Sequence, residues 1–216
     1  MNMKKLSLIL LAFFLLAGIS AAQTQWIPVN PDDENFSESC TSIMVGKKAS
    51  TDGSVMTAHT CDSNYRTWVE MTARKSFKPG DTEPVYWGVL HNEEPWDTRN
   101  VVEKGRIPAV EETFAYLNTA YPCLNEKQLA IGETTITGRS LLENKNGLFL
   151  IEELERIVLQ RCSTARDAIR LIGKLVETYG YGDSGECLTI ADKKEVWQLE
   201  IFGSGEGKPS AIWVAQ

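Results

Sequence analysis

Two hydrophobic patterns alternate along the chain, one typical of strands and one typical of helices. Apolar residues recur at helical spacing in two segments, 148–161 and 164–179, and predict a pair of helices. Short apolar runs bounded by turn residues predict strands on both sides of this pair, at 40–46, 55–59, 68–73, 113–118, 129–137, 187–191, 196–201 and 211–214. Strands, two helices and strands again predict an α+β fold, with antiparallel sheets that carry helices on one face.

The first two predicted strands are joined by a turn-rich segment, 47–54, with Asp52-Gly53 at its tip. An Asp-Gly pair between two strand-like runs is a strong hairpin signal, because both residues tolerate the positive φ that a tight turn needs. The segment 40–59 is therefore predicted to form a β-hairpin. A later stretch, 79–96, is rich in proline, glycine, acidic and aromatic residues and is predicted to be a surface excursion.

The first 22 residues have the pattern of a secretory signal peptide. Lys4 and Lys5 precede an apolar run over 6–20, and the small residues Ser20 and Ala22 suit signal peptidase. Cleavage is expected after Ala22, with the bond one residue earlier as the alternative. Because the run is short for a transmembrane helix, we expect a secreted or periplasmic protein that does not associate with the membrane once the signal is removed.

The segment 23–39 is polar and acidic, and it has no periodicity that would bury one face. It is predicted to be a leader that precedes the folded core, 40–216. The chain ends almost at once after its last predicted strand. We therefore expect the core to be a fragment that is incomplete at its C-terminus.

Composition restricts the function. A formal net charge of −7 argues against a nucleic-acid partner, which would need basic residues to neutralise phosphates. The chain has only two histidines and lacks metal-ligand spacing, a glycine-rich phosphate loop and a dinucleotide motif, so neither a metal nor another cofactor is expected. Its 216 residues, 43% of them hydrophobic, suffice for one domain with a hydrophobic core.

A cysteine begins the first predicted strand, directly after the leader. If the bond between Ser39 and Cys40 is broken, Cys40 carries both a thiol and a free α-amine. An α-amine titrates near ~8, so at neutral pH it is able to act as the base for its own nucleophile, and no catalytic histidine is needed. The alternatives are that Cys40 is half of a disulfide or an inert core residue.

Three segments together carry a family resemblance: CTSIMVGKKASTDGS at 40–54, AHTCD at 58–62 and NEKQLAIGETT at 125–135. They resemble the PepD-type (dipeptidase A) cysteine dipeptidases, N-terminal-nucleophile hydrolases related to choloylglycine hydrolase and penicillin V acylase. The resemblance extends to 182–191 and to the last strand. It implies a four-layer αββα sandwich that removes its own leader and hydrolyses dipeptides or very short peptides.

The resemblance also implies roles for four residues. Cys40 matches the nucleophile, which would hold part of the substrate as a thioester, and Asp62 matches the acid that orients its amine. Asn125 matches an oxyanion-hole asparagine that acts through its backbone amide. His59 stands where the superfamily usually has an arginine, so its charge would depend on pH. Without the resemblance, Asp62 and Asn125 would also be typical turn residues, and His59 would be typical of a strand end.

Two other functions stay open. One keeps the mechanism but changes the substrate to a non-peptide amide of the bile-salt, penicillin or acyl-homoserine lactone type. The other is a secreted, non-catalytic binding domain whose Cys40 is paired in a disulfide. The second oxyanion asparagine and a later arginine of the superfamily would lie beyond Gln216, and homo-oligomerisation is left open.

The remaining four cysteines admit three pairings, which the sequence does not distinguish. They are Cys61, Cys123, Cys162 and Cys187. Because Cys61 and Cys123 both lie beside proposed active-site segments, a disulfide between them is a hypothesis to test.

Overall fold

Strands dominate the part of the chain that the computed structural model describes, residues 40–61, 65–94, 97–207 and 209–216. The strands, in chain order, are β1 (Thr41–Val45), β2 (Met56–Thr60), β3 (Glu70–Thr72), β4 (Thr82–Trp87), β5 (Val102–Pro108), β6 (Tyr116–Asn118), β7 (Leu124–Asn125), β8 (Ala130–Thr135), β9 (Glu186–Ala191), β10 (Val196–Gly203) and β11 (Ala211–Ala215). Two α-helices, α1 (Ile151–Arg161) and α2 (Ala165–Tyr179), lie between β8 and β9. This order confirms the predicted α+β class.

Most of these strands belong to one sheet. Seven of them are hydrogen-bonded in the order β11-β10-β9-β8-β7-β6-β3, and each neighbouring pair is antiparallel. β1 pairs only with β2 and β4 only with β5 among the described strands, again antiparallel. The β4–β5 pair corrects the prediction of a surface excursion over 79–96. Its strands bury Val85 and Ile107 in the core, which an irregular surface loop would not do.

The two helices begin and end close to the predicted positions. The Thr164 hydroxyl accepts a hydrogen bond from the Asp167 backbone N–H at 3.2 Å and so caps the start of α2. Gly180 follows the last residue of α2 with a φ of 80°, a value that favours glycine. No helix among the described residues is both long and apolar enough to cross a membrane.

The helices cover the large sheet through an apolar core. α1 contacts β4, β6, β7 and β8, and α2 contacts β9, β10 and β11. The core residues are fully or almost fully buried and come from both layers, among them Ile131, Leu154, Ile157, Val158, Ile172, Leu188, Ile190 and Leu199. Burial of this many aliphatic side chains is the main favourable contribution to folding.

The β1–β2 hairpin confirms the prediction for 40–59 and lies against β8 and β9. Polar side chains make the contact. The Thr57 and Thr189 hydroxyls are 2.5 Å apart, and the Ser42 and Thr134 hydroxyls are also hydrogen-bonded. These hydrogen bonds to β8 and β9 therefore hold β1, and the cysteine that precedes it, in place.

Candidate functional site

Cys40 lies immediately before β1, at the open end of the hairpin. In the antiparallel register Thr41 is opposite Thr60, so the next pair along the ladder is Cys40 and Cys61. Both thiols are half-buried and neither forms a disulfide. The fold thus brings two cysteines that are far apart in sequence to neighbouring positions.

Glu133 of β8 completes this group. The Cys61 thiol donates a hydrogen bond to Glu133 Oε1, with Sγ and Oε1 3.1 Å apart. One donor atom from each of Cys40, Cys61 and Glu133 lies within 4.8 Å of the other two. Glu133 has no exposed surface, whereas the cysteines are partly exposed, so the group is open on one side. We call Cys40, Cys61 and Glu133 the thiol–carboxylate cluster.

More buried carboxyl groups surround Glu133. Burial first, and then a hydrogen bond to Glu133, raise the pKa of Glu186 to about 11. Burial also raises the pKa of Glu155, a residue of α1, well above its ordinary value. Such a carboxyl–carboxylate hydrogen bond needs a shared proton, since two ionised groups would repel. Each of the three glutamates keeps at least one buried oxygen without a hydrogen-bond partner.

The same environment keeps Cys61 protonated. Burial, the hydrogen bond to Glu133 and the Glu133 charge all raise the pKa of the Cys61 thiol. A thiol with a raised pKa is a poor nucleophile, because the thiolate is the reactive form. Cys61 therefore acts as a hydrogen-bond donor at neutral pH, and Cys40 is the better candidate for nucleophilic chemistry.

His59 lies on β2, opposite Ser42, with its ring packed over Gly132 of β8. A side-chain carbon added at Gly132 would lie 2.5 Å from His59 Nδ1, so only glycine leaves room for the ring. Burial lowers the pKa of His59, and the nearby Glu133 charge opposes this effect only in part. The imidazole is therefore neutral at pH 7 and, unlike an arginine, supplies no permanent positive charge.

The N–H groups of Asn125, the predicted oxyanion donor, have hydrogen-bond partners within the fold. Its backbone N–H donates to the Leu129 carbonyl at 3.0 Å, and its side-chain amide donates to the carbonyls of Leu159 and Cys162 at 2.7 and 2.8 Å. All three N–H donors of this buried residue thus hold the turn after β7 and the end of α1 together. The oxyanion role remains a prediction that rests on the family resemblance.

The remaining predictions concern Asp62, the two N-terminal segments and the pairing of the cysteines. Asp62, the signal peptide over 1–22 and the leader over 23–39 lie outside the described residues. All five cysteines are free thiols, so the hypothetical disulfide between Cys61 and Cys123 is not formed in this structure. The structure brings His59 to the same hairpin as Cys40 and places Asn125 at the end of α1.

Sequence reasoning missed Cys61 and Glu133 as members of the site. The signal for Cys61 was only partial: a hairpin centred on 52–53 would pair residues whose numbers sum to 105, whereas the observed register has a sum of 101 and so places Cys61 opposite Cys40. Glu133 lies within the segment 125–135 that carries the family resemblance, but nothing in the sequence indicated its contact with Cys61, which is 72 residues away. Its contact depends on the packing of the hairpin against β8.

A separate cleft of about 600 Å³ is lined by residues that include Arg66, five positions after Cys61 in the sequence. The cleft walls carry charges of both signs and an aromatic ring, from Arg66, Trp68, Glu70, Lys75, Glu152 and Arg156. Arg66 stacks on the Trp68 ring, with its guanidinium carbon 4.5 Å from the ring centroid. Burial raises the pKa of Glu152 to about 8.

The fold is α+β, and an unpaired cysteine, Cys40, directly precedes its first strand. The sequence model of peptidase family C69 matches residues 39–216, a range that begins one residue before this cysteine. The chain therefore belongs to peptidase family C69.

Curated relatives agree with this assignment. Probable dipeptidase B of Lactococcus lactis subsp. lactis (strain IL1403) is 32% identical over 177 residues, and probable dipeptidase A of Streptococcus pyogenes serotype M1 is 31% identical over 173 residues. Each match covers 76% of this chain and 35% of the relative. Dipeptidase A of Lactobacillus helveticus is 29% identical over 175 residues. The chain thus spans about a third of the length of the curated relatives it matches.

Proposed function

We propose that this chain carries the nucleophile of a cysteine dipeptidase, and that the nucleophile is the thiol of Cys40. The observation that carries the proposal is the position of Cys40, a free, half-buried thiol at the start of β1 and at the start of the family match. The printed names of the relatives, all dipeptidases, support the substrate class.

The proposed chemistry begins with removal of the leader between Ser39 and Cys40. The freed α-amine then takes the proton of the Cys40 thiol, and the thiolate attacks the peptide carbonyl. The C–N bond breaks, the amine product leaves with the proton, and a thioester on Cys40 remains. Water hydrolyses this thioester and regenerates the thiol. In this proposal Asp62 orients the amine, and His59, held neutral by burial, supports the hairpin beside the nucleophile.

The cleft lined by Arg66 has the charges that a dipeptide would need. At neutral pH a dipeptide has a positive amino group and a negative carboxylate separated by one peptide bond. Arg66 and Lys75 of the cleft are able to pair with the carboxylate, and Glu70 is able to pair with the amino group. A fully apolar cleft would compensate neither charge of a dipeptide. The charged residues of this cleft therefore favour a short charged peptide over an apolar amide.

The fold and location belong to the same proposal. The hairpin layer, the seven-stranded sheet and the layer of α1 and α2 are compatible with part of an αββα sandwich. We further propose that the leader is removed outside the cytoplasm, after the signal peptide over 1–22 has directed secretion.

The test is leader removal and dipeptide hydrolysis by the wild-type chain and two variants. We expect N-terminal sequencing of the wild type to begin at Cys40, and Cys40→Ala to keep its leader. Cys40→Ala should also lower kcat/KM by roughly a thousandfold or more, because it removes the attacking atom. Cys123→Ala, a half-buried cysteine outside the cluster, is the matched control and should keep most of the activity.

Three results would contradict the proposal in whole or in part. Normal dipeptide hydrolysis by Cys40→Ala would show that another group attacks the substrate. A wild-type protein that begins at Gln23 and is fully active would show that the α-amine of Cys40 is not needed. Turnover of a penicillin or bile-salt amide without any turnover of dipeptides would move the substrate class to that of the related acylases.

A further inference from the structure

The thiol–carboxylate cluster has the donor atoms of a metal site. Two cysteine sulfurs and one glutamate oxygen come from three separate parts of the chain and lie within 4.8 Å of one another. In a tetrahedral zinc site, with Zn–S near ~2.3 Å and Zn–O near ~2.1 Å, the donor atoms are about 3.5–3.8 Å apart. The donor atoms of the cluster thus need to move by only about 1 Å to reach this spacing.

The position of Cys40 next to Cys61 gives the cluster its selectivity. Thiolate sulfur is a soft donor that prefers zinc-like ions, whereas magnesium and calcium prefer sites made of oxygen only. The cysteines are partly exposed, so an ion is able to enter from the solvent side. The expectation that no metal binds depended on ligand spacing along the sequence, and the fold assembles these ligands across 93 residues of chain, from position 40 to position 133.

An independent observation also indicates a missing positive charge. Glu133 has no exposed surface, and its second carboxylate oxygen, Oε2, lacks a hydrogen-bond partner among the described residues. A buried carboxylate oxygen without a partner is costly, and a divalent cation bound at the cluster would reduce that cost.

We propose that Cys40, Cys61 and Glu133 form a binding site for a soft divalent metal ion of the zinc class. On binding, the two thiols release their protons to solvent, and the two sulfurs and one Glu133 oxygen become ligands. The fourth position is open to water. Where the leader has been removed, the α-amine of Cys40 is a fourth donor that forms a five-membered chelate with its own sulfur.

Metal binding at this site has one functional consequence, which rests on the proposed function. An ion bound to the Cys40 sulfur removes the lone pair that would attack the substrate. The site would therefore make zinc a reversible inhibitor of the enzyme.

The first test uses the wild-type chain under reducing conditions, with Zn²⁺ as the probe and iodoacetamide as the reporter. Peptide mapping measures how fast each cysteine is alkylated. We expect equimolar Zn²⁺ to slow alkylation of Cys40 and Cys61 at least about tenfold, and Mg²⁺ to have no effect. Cys123 is the internal control and should react at the same rate throughout. Equal alkylation of Cys40 and Cys61 with and without Zn²⁺ would overturn the proposal.

The second test measures Co²⁺ and Zn²⁺ binding by titration of the folded wild type and variants. We expect one Co²⁺ per chain with a sulfur-to-metal charge-transfer band, which Zn²⁺ displaces. Cys61→Ser should reduce this band by about half, and both Cys61→Ser and Glu133→Gln should weaken Zn²⁺ binding at least about tenfold. Cys123→Ser is the matched control and should bind like the wild type. Unchanged binding in Cys61→Ser would place the metal elsewhere and overturn the proposal.

These readouts separate the two proposals. A chain that binds Zn²⁺ at the cluster but hydrolyses no dipeptide supports the metal site and contradicts the proposed function. A chain that hydrolyses dipeptides and binds no Zn²⁺ supports the proposed function and contradicts the metal site.

Discussion

β8 and β9 are packed against two partners that differ in chemistry. Towards the helices, buried aliphatic residues such as Ile157 and Leu188 fill the space between the layers. Towards the hairpin, the contacts are made by hydroxyls and by an imidazole over a glycine. On the hairpin itself, Ile43 is 59% exposed. The helical side thus resembles a protein core, and the hairpin side resembles a polar interface.

Because of this difference, one side of the sheet contributes most of the folding stability, and the other side positions the Cys40 thiol. Apolar burial is nondirectional and contributes most of the folding free energy, whereas hydrogen bonds add little net stability but fix orientation. The Cys40 thiol is attached to the hairpin and therefore depends on directional contacts. The proposed nucleophile therefore lies where directional contacts control its geometry, at the edge of the region that supplies most of the stability.

The largest expected effect compares two isoleucines that differ in burial. Ile157→Ala should lower the free energy of unfolding by about 2–5 kcal/mol, because it removes a side chain with no exposed surface and leaves a cavity. Ile43→Ala on the hairpin is the matched control and should change it by no more than about 0.5 kcal/mol. Urea denaturation measures both. Similar losses in the two variants would show that the hairpin is covered and as stabilising as the helices.

The elements that were predicted correctly from the sequence are those that a local pattern of residues determines. The apolar positions of α1 and α2 repeat at helical spacing, and Thr164 and Gly180 mark the two ends of α2, so both helices were predicted within a few residues. The hairpin was predicted from its Asp-Gly turn. β4 was missed because its segment holds proline and charged residues, including Glu83. Glu83 is buried together with two ion-pair partners on α1, Arg156 and Arg161.

Distant contacts explain why only part of the candidate site was predicted. Cys40 was identified from its place after the leader, which is a local feature. Glu133 was missed because nothing near it in sequence shows that the hairpin will bring Cys61 to it. Asn125 was assigned from a resemblance, but hydrogen bonds from its N–H groups to Leu129 and to the end of α1 were not visible in the sequence.

A smaller effect is expected from filling the space that Gly132 leaves for His59. In Gly132→Ala the new carbon would lie 2.5 Å from His59 Nδ1 and 2.9 Å from its Cγ, so the ring must move. We expect a loss of about 1–3 kcal/mol, typical of overpacking, and faster hydrogen exchange in β1 and β2. Denaturation and hydrogen-exchange mass spectrometry measure the two effects.

Two variants control this experiment. Gly46→Ala adds the same carbon next to β1, where Val196 Cγ1, 4.0 Å away, would be the nearest atom outside its chain neighbours, and it should have little effect. His59→Ala combined with Gly132→Ala should recover part of the loss, because the clash partner is gone. If the double variant is as unstable as the sum of the single ones, the ring and the glycine are not coupled, and the polar packing of the hairpin has another origin.

The smallest effect concerns a carboxyl group on the helical side. Burial raises the pKa of Glu152 to about 8 from an ordinary value of 4.5. Between these two pH values the folded state keeps a proton that the unfolded state has lost, so raising the pH favours unfolding. The contribution to stability is complete below about pH 4.5 and is lost as the pH rises through 8. The expected slope is up to about 1.4 kcal/mol per pH unit.

Glu152→Gln isolates this contribution, because an amide stays neutral at every pH. Between pH 6 and pH 7 the wild type should lose about 1 kcal/mol more stability than Glu152→Gln in urea denaturation. Glu103→Gln, whose parent side chain on β5 is 45% exposed, is the control and should follow the wild type. Equal slopes in the wild type and Glu152→Gln would mean that Glu152 is ionised in the folded protein. The apolar packing around α1 would then tolerate a buried charge, and the contrast between the two sides of the molecule would be weaker than the structure indicates.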